Sequence, residues 1–287
     1  MPSLQGLRRK IGSIKNTQKI TKAMKMVAAA KLKRAQDRIL AARPYAKKMA
    51  VVLGSLSSRV NRQAHPLLRK PSGNRIELLV VTSDRGLCGA FNTNILRKAV
   101  EFLREKQEAS CTVTVSVIGR KGRDFFRRRA WTRRQEWTGV FDRLSYEHAL
   151  DIGGDIVQQF TSGTFDELHV VYNEFKSAIQ QRVVVEKLLP IESLDQEAEK
   201  LGGGYLFEPA EEELLKVLLP KHIEVQTFHA LMESSAAELG ARMAAMDGAT
   251  RNAGEMIKKM TLYYNKTRQS AITKELMDIV GGAEALR

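Results

Sequence analysis

The sequence lacks much that would point to an enzyme, a membrane span or a secreted scaffold. Its apolar runs are short: Ile76–Thr82 is among the longest and is broken by Glu77, far below the ~20 residues a bilayer requires. The first residues, MPSLQGLRRKIGSIKNTQ, hold no apolar stretch followed by a small-residue cleavage site, so no secretory signal is expected and cytoplasm is the default. The two cysteines, Cys88 and Cys111, lie 23 residues apart with no second Cys-x-x-Cys element and no nearby His pair, which argues against a metal site and a disulfide framework. The five histidines (His65, His148, His169, His222, His229) form no metal-binding spacing. Gly-x-Ser-x-Gly and Gly-Lys-Ser/Thr are absent too. Phe, Trp and Tyr do not occur between Met1 and Pro44, so that segment offers no platform for stacking single-stranded bases. Acid is nearly missing there as well.

What is present is a chain of 287 residues, 43% hydrophobic and 28% charged, enough for a buried core in one or two domains. Residues 1–62 carry sixteen Lys and Arg against one acid, Asp37, which equals the whole net charge of +15; the other 225 residues balance at 31 of each sign. A field this lopsided fits either a solvated helix face or an acidic partner: protein, anionic lipid or nucleic acid.

A heptad written from Leu4 places Leu7, Ile11, Ile14, Gln18, Thr21, Lys25, Ala28, Leu32, Ala35, Ile39, Ala42, Ala46, Met49, Leu53 and Leu56 on one seam, thirteen of the sixteen positions being apolar. This predicts one helix of about 55 residues, roughly 80 Å long, longer than a compact globule of this chain would be wide at about 50 Å. The polar positions Gln18, Thr21 and Lys25 are consecutive on the seam, and the apolar stripe slips there to Ile20, Met24 and Val27. That slip suggests a neighbour other than the mate helix. Pro44 should kink the helix without ending it. Residues 63–75 read as a linker.

Strands are expected at Ile76–Thr82, Thr112–Ile118, Glu167–Tyr172 and Gln181–Leu188, with helices at Thr93–Gln107, Gly122–Arg129 and Tyr146–Phe160. Their alternation predicts a Rossmann-like, three-layer α/β domain over 76–190 with a mainly parallel sheet. Residues 191–210 read as a loop. From 211 to 287 helix formers dominate, with a small-residue face (Ala236, Ala237, Gly240, Ala241, Ala244, Ala245, Gly248, Ala249, Ala253, Gly254) suited to close helix approach and bulkier spacing after it. The fold class is therefore α/β plus a long antiparallel coiled coil of the two terminal segments.

Thr82–Asn92 has the strand–glycine loop–helix layout of a phosphate cradle. Its spacing is Gly86-x-x-Gly89 and Asp84 would repel phosphate, so a structural turn with Asn92 near the helix cap is the alternative.

Several runs resemble the ATP synthase γ-subunit family: KIGSIKNTQKITKAMKMVA over 10–28, TSDRGLCGAFN over 82–92, YLFEP over 205–209, ARMAAM over 241–246 and YNKTRQSAITKEL over 264–276. The resemblance implies a non-catalytic rotor shaft that couples ion-driven ring rotation to the catalytic β subunits, with no cofactor or metal. It implies α, β and ε subunits and the membrane c-ring as partners, no nucleic acid, and a peripheral place on the cytoplasmic face of the cell membrane through the complex only. Lys10, Lys19, Lys22, Met24 and Lys25 would lie near an acidic β lever, and Arg268 and Gln269 would face a β loop. Leu276, Ile279, Ala283 and Leu286 would form the tip in an apolar bearing, and Tyr205 and Glu208 would stand on the rotor ring. The paired-cysteine switch of photosynthetic relatives has no counterpart between Gln181 and Gly204, so a non-photosynthetic bacterial chain is expected. The competing readings are a basic coiled-coil nucleic-acid-binding protein and a dinucleotide enzyme with helical arms.

Overall fold

The computed structural model describes residues 3–57, 65–69, 73–178, 180–191, 208 and 210–284. The described chain runs α1 (Leu4–Ser57), a 3₁₀ turn (Pro66–Leu68), β1 (Arg75–Val81), α2 (Phe91–Glu108), β2 (Thr112–Ile118), α3 (Arg120–Phe126), β3 (Arg133–Trp137), a second 3₁₀ turn (Val140–Asp142), α4 (Tyr146–Thr161), β4 (Glu167–Phe175), β5 (Gln181–Leu189) and α5 (Glu211–Glu284). By contacts it divides into two compact units, Met1–Ala28 with Met243–Arg287, and Ala29–Arg242.

In the larger unit the sheet order is β3-β2-β1-β4-β5, parallel throughout except for the antiparallel β4–β5 hairpin. Strand β1 reads as an almost unbroken apolar run because both its faces are covered. Ile76, Leu78 and Val80 pack with α2 and α3, while Leu79 and Val81 join the core of α4, the end of α1 and the start of α5. Glu77 interrupts that run, yet it is fully buried, and Arg134 on β3 donates to both its oxygens at 2.8 and 2.7 Å. Arg134 also pairs with Asp155 on α4 at 2.7 Å. The edge strand β3 is absent from the sequence-based expectation because three of its five residues are charged. It forms because β2 supplies the ladder and Glu77 neutralises Arg134.

Two expectations gain detail here. Within the expected linker, residues 65–69 pack inward: Leu67 and Leu68 are buried in the core, and the Ile191 amide donates to the Leu67 carbonyl at 3.0 Å. The small-residue face of α5 serves the sheet before it serves a helix. Ala237 and Ala241 sit in the α2-side core, and a Cβ on Gly240 would meet Ala178 at 3.2 Å in the β4–β5 turn. The expected loop at 191–210 lies mostly outside the described residues.

Helix α1 continues through Pro44. Its seam residues Leu32, Ile39, Met49, Leu53 and Leu56 are buried, the last three against Leu215, Leu219 and Ile223 of α5.

Candidate functional site: a helical pair with a basic face

In the smaller unit the N-terminal part of α1 runs antiparallel to the C-terminal part of α5. Gln18 Nε2 donates to the Thr250 carbonyl at 3.4 Å, the Thr21 and Thr250 hydroxyls meet at 2.7 Å, and Lys25 Nζ donates to Asp247 at 2.6 Å. As residue numbers rise on one helix they fall on the other, which fixes direction and register. The α5 side of the seam is Ala253, Ile257, Met260, Tyr264, Thr267 and Ala271, all at least half-buried at alternating spacings of four and three.

This corrects the expectation that Gln18, Thr21 and Lys25 face something other than the mate helix. All three bond to it, and Thr21 is 8% exposed. Thr21 and Thr250 share two hydrogens among three acceptors. Thr250 donates to the Met246 carbonyl at 2.7 Å, so Thr21 donates to Thr250, its own Gln18 carbonyl at 3.1 Å being the weaker choice. A polar layer of this kind selects one register over slipped alternatives. The Lys25 ammonium also holds the Asp247 carboxyl below the usual carboxylate range.

The predicted contact residues then separate by environment. Lys10, Lys19 and Lys22 are exposed and have no partner among the described residues; Lys25 is spent on Asp247, and Met24 is half-buried. Beside these lysines, Ile20, Met26 and Val27 are exposed apolar residues. Arg268 and Gln269 are both exposed on α5. The contact pairs 18/254, 21/250 and 25/247 place Leu4 opposite about residue 268, so the last turns of α5 extend past the start of α1. Accordingly Leu276 (58%) and Ile279 (71%) are exposed along with Ile272, Met277 and Val280, and so is Ala283. Leu286 and Tyr205 lie outside the described residues; Glu208 is exposed. Asp247 and Thr250 are the functional residues that sequence reasoning missed. They could have been found by pairing the two segments antiparallel.

The glycine loop of the larger unit is closed by its own side chains. Asp84, 7% exposed, accepts the Arg120 amide at 3.1 Å, the Gly139 amide at 2.9 Å and the Phe141 amide at 3.3 Å. The carboxylate thus gathers backbone N–H groups from the first residue of α3 and from the turn after β3, and so ties the loop after β1 to both. Asn92 lies near the cap of α2, as expected, two residues after Ala90; its side chain accepts the Ser83 amide at 3.0 Å and donates to the Ser83 hydroxyl at 2.8 Å. Glycine is required on the α3 side, where a Cβ on Gly119 would come within 2.2 Å of the Thr82 carbonyl oxygen. Leu87, at φ +64, exposes its side chain at the loop tip. Above it Arg242 donates to the Gly86 carbonyl at 3.2 Å and to Glu238 at 2.5 Å. Burial pushes the Glu238 carboxyl up, and Arg242 offsets part of that rise.

Among the described residues no group of three or more His, Cys, Asp and Glu side chains could hold a metal ion, and no helix is long and apolar enough to cross a membrane. A family model described as ATP synthase matches residues 3–286. The gamma chain of ATP synthase from Anaeromyxobacter sp. (strain Fw109-5) is 49% identical over 290 residues, covering all of both chains. That of Geotalea daltonii is 47% identical over 287 residues, again over both full lengths. Among solved structures, a chain of the Tetrahymena thermophila mitochondrial ATP synthase central stalk and c-ring is 26% identical with a TM-score of 0.64, covering 80% of this chain and 99% of that one. A chain of the Euglena gracilis mitochondrial ATP synthase has a TM-score of 0.71 at 23% identity, covering 99% and 94%. Nothing in these relatives supports nucleic-acid binding. The polar register layer of the helical pair and the amide-bound Asp84 of the sheet unit are structural devices of a non-catalytic subunit, and the chain belongs to the ATP synthase gamma-chain family.

Proposed function

We propose that this chain is the axle by which rotation of an ion-driven ring changes the state of the catalytic β subunits of an α/β hexamer. The observation that carries this is the tip of α5. A helix that leaves Ile272, Leu276, Met277, Ile279 and Val280 exposed past its mate needs an apolar sleeve, because contiguous apolar surface of this kind marks an interaction site. The sleeve is the bearing formed by the hexamer, in which Leu276, Ile279, Ala283 and Leu286 turn.

Lower on the shaft, Lys10, Lys19 and Lys22 attract an acidic lever of β through solvent, while Met24 and the exposed Ile20, Met26 and Val27 give it an apolar face to slide on. Lys25 contributes mainly to the shaft itself through Asp247. Arg268 and Gln269 meet a β loop from the other helix. Charges that stay solvated suit a rotor, since exposed ion pairs contribute only about 0–1 kcal/mol each and no orientation becomes a trap. Tyr205 and Glu208 stand at the foot on the c-ring beside ε, so the chain attaches to the membrane peripherally and only through the complex, on the cytoplasmic face.

Co-expression with the α and β subunits tests the proposal. The expected product is a stable ATPase holding one copy of this chain. A chain that remains apart from both would refute it, as would a complex in which truncation after Ala271 left assembly and turnover unchanged.

A further inference from the structure

A cleft in the larger unit has no part in the shaft account. It lies between the turn Ala42–Ala46 of α1, the first turn of α4 and residues 221–232 of α5, and encloses about 690 Å³, within the range of small-molecule sites. Its origin is in the sequence. The seam carries Ile39, Met49 and Leu53 on either side, but Ala42 and Ala46 here, so two consecutive seam positions leave room that larger side chains fill elsewhere.

The cleft is lined by rings. Tyr146 and Phe228 meet edge to face, with centroids 5.4 Å apart and planes at 89°, and Tyr45 is exposed beside them. Met232 and Val225 are buried at its base. The Tyr146 hydroxyl donates to Glu224 at 3.1 Å, which holds the ring in place. Two acids near the cleft are already engaged, Glu224 by that phenol and Glu233 by the Phe175 amide at 2.9 Å and by His229 at 3.6 Å, while Glu147 beside Tyr146 is exposed and is not among the residues that line it. Arg43 and Lys221 line the same cleft, are exposed, and have no partner among the described residues. Aromatic walls, an apolar base and two uncompensated cations select a ligand with a flat apolar body and one negative end.

We propose that this cleft binds a small aromatic carboxylate, its ring against Tyr45, Tyr146 and Phe228 and its carboxylate between Arg43 and Lys221. Photolabelling of the full chain with benzophenone-4-carboxylate, with the modified peptide mapped by mass spectrometry, tests it. The label is expected at Met232 or at Ala42–Ala46, displaceable by 2-naphthoate. Arg43→Gln with Lys221→Gln, both surface changes, is expected to reduce that labelling about tenfold, as loss of charge-assisted bonds would, while neutral benzophenone labels the same peptide unchanged. Ala46→Phe, which fills the cleft, should abolish it. Labelling spread over the exposed Met26, Met256 and Met277 without enrichment at Met232 or at Ala42–Ala46 would overturn the proposal. So would equal labelling of the wild-type and the doubly neutralised chains.

Discussion

Asp84 offers the sharpest test of how the loop after β1 is held in place. Its side chain accepts three backbone amides, from Arg120, Gly139 and Phe141, and lies 3.6 Å from the Arg120 guanidinium. Asp84→Ala removes all of these acceptors at once. A bond to a charged group contributes roughly 1.5–3 kcal/mol, and a buried donor left unmatched costs a similar amount. The three bonds are coupled and water can enter the gap, so the expected loss is about 3–5 kcal/mol, a large part of the 5–15 typical of a domain. Asp84→Asn keeps one oxygen for Arg120 and Gly139 but turns its NH2 toward the Phe141 amide, and should lose about 2 kcal/mol. In the Ala variant the amides still converge on an empty anion position. About 0.2 M formate, bound with a Kd of about 10 mM, would return about 1.8 kcal/mol; the wild-type chain should gain no more from formate than from chloride at equal ionic strength. Urea denaturation followed by circular dichroism measures each quantity. A loss below about 1 kcal/mol in Asp84→Ala, set against the worth of those bonds, would refute the reasoning. So would ATP raising the wild-type midpoint, because the loop would then accept phosphate with its carboxylate in place.

Other consequences follow from the same structure. Burial alone lowers the His222 pKa from 6.5 to about 4, so below pH 6.5 the unfolded chain takes up a proton that the folded chain refuses. Stability should therefore fall as pH drops from about 6.5 to about 4, by up to about 3 kcal/mol, and His222→Leu should remove that slope in urea titrations at pH 7 and pH 5. Glu77→Leu leaves Arg134 half-matched in the sheet and should cost about 3–5 kcal/mol, most of it recovered by adding Arg134→Met; a double variant as unstable as the single one would contradict this. In the shaft, a double-mutant cycle of Thr21→Val and Thr250→Val should give a coupling of about 1 kcal/mol, with the paired variant close to wild type.

The long helices and the apolar strands were legible because each repeats a local signal: a heptad on α1, β-branched runs on β1, β2 and β4. Strand β2 falls at Thr112–Ile118 as its alternation indicates. What escaped depends on residues far apart in sequence. The partners of Asp84 at Gly139 and Phe141 lie 55 and 57 residues away, so a residue that reads only as a phosphate repellent is also a buried acceptor that ties three segments together. The polar run Gln18–Lys25 looked like a gap in the seam because Thr250 and Asp247, 222 to 232 residues on, could be matched to it only once the helices were paired. Strand β3 hid behind its charges, which are stable there only because Glu77 and Asp155 receive Arg134. Exposure separated Lys10, Lys19 and Lys22 from Lys25, a distinction that spacing on one helix does not contain.

The central claim is that the two terminal helices turn as one body. Thr21→Cys with Thr250→Cys places thiols where the hydroxyls now meet at 2.7 Å, and oxidation would staple α1 to α5. In the assembled complex with α and β, the account predicts ATP hydrolysis at the same rate before and after oxidation. A rate that collapses when the staple forms and returns when it is reduced would mean the helices must move past each other, and would contradict the axle.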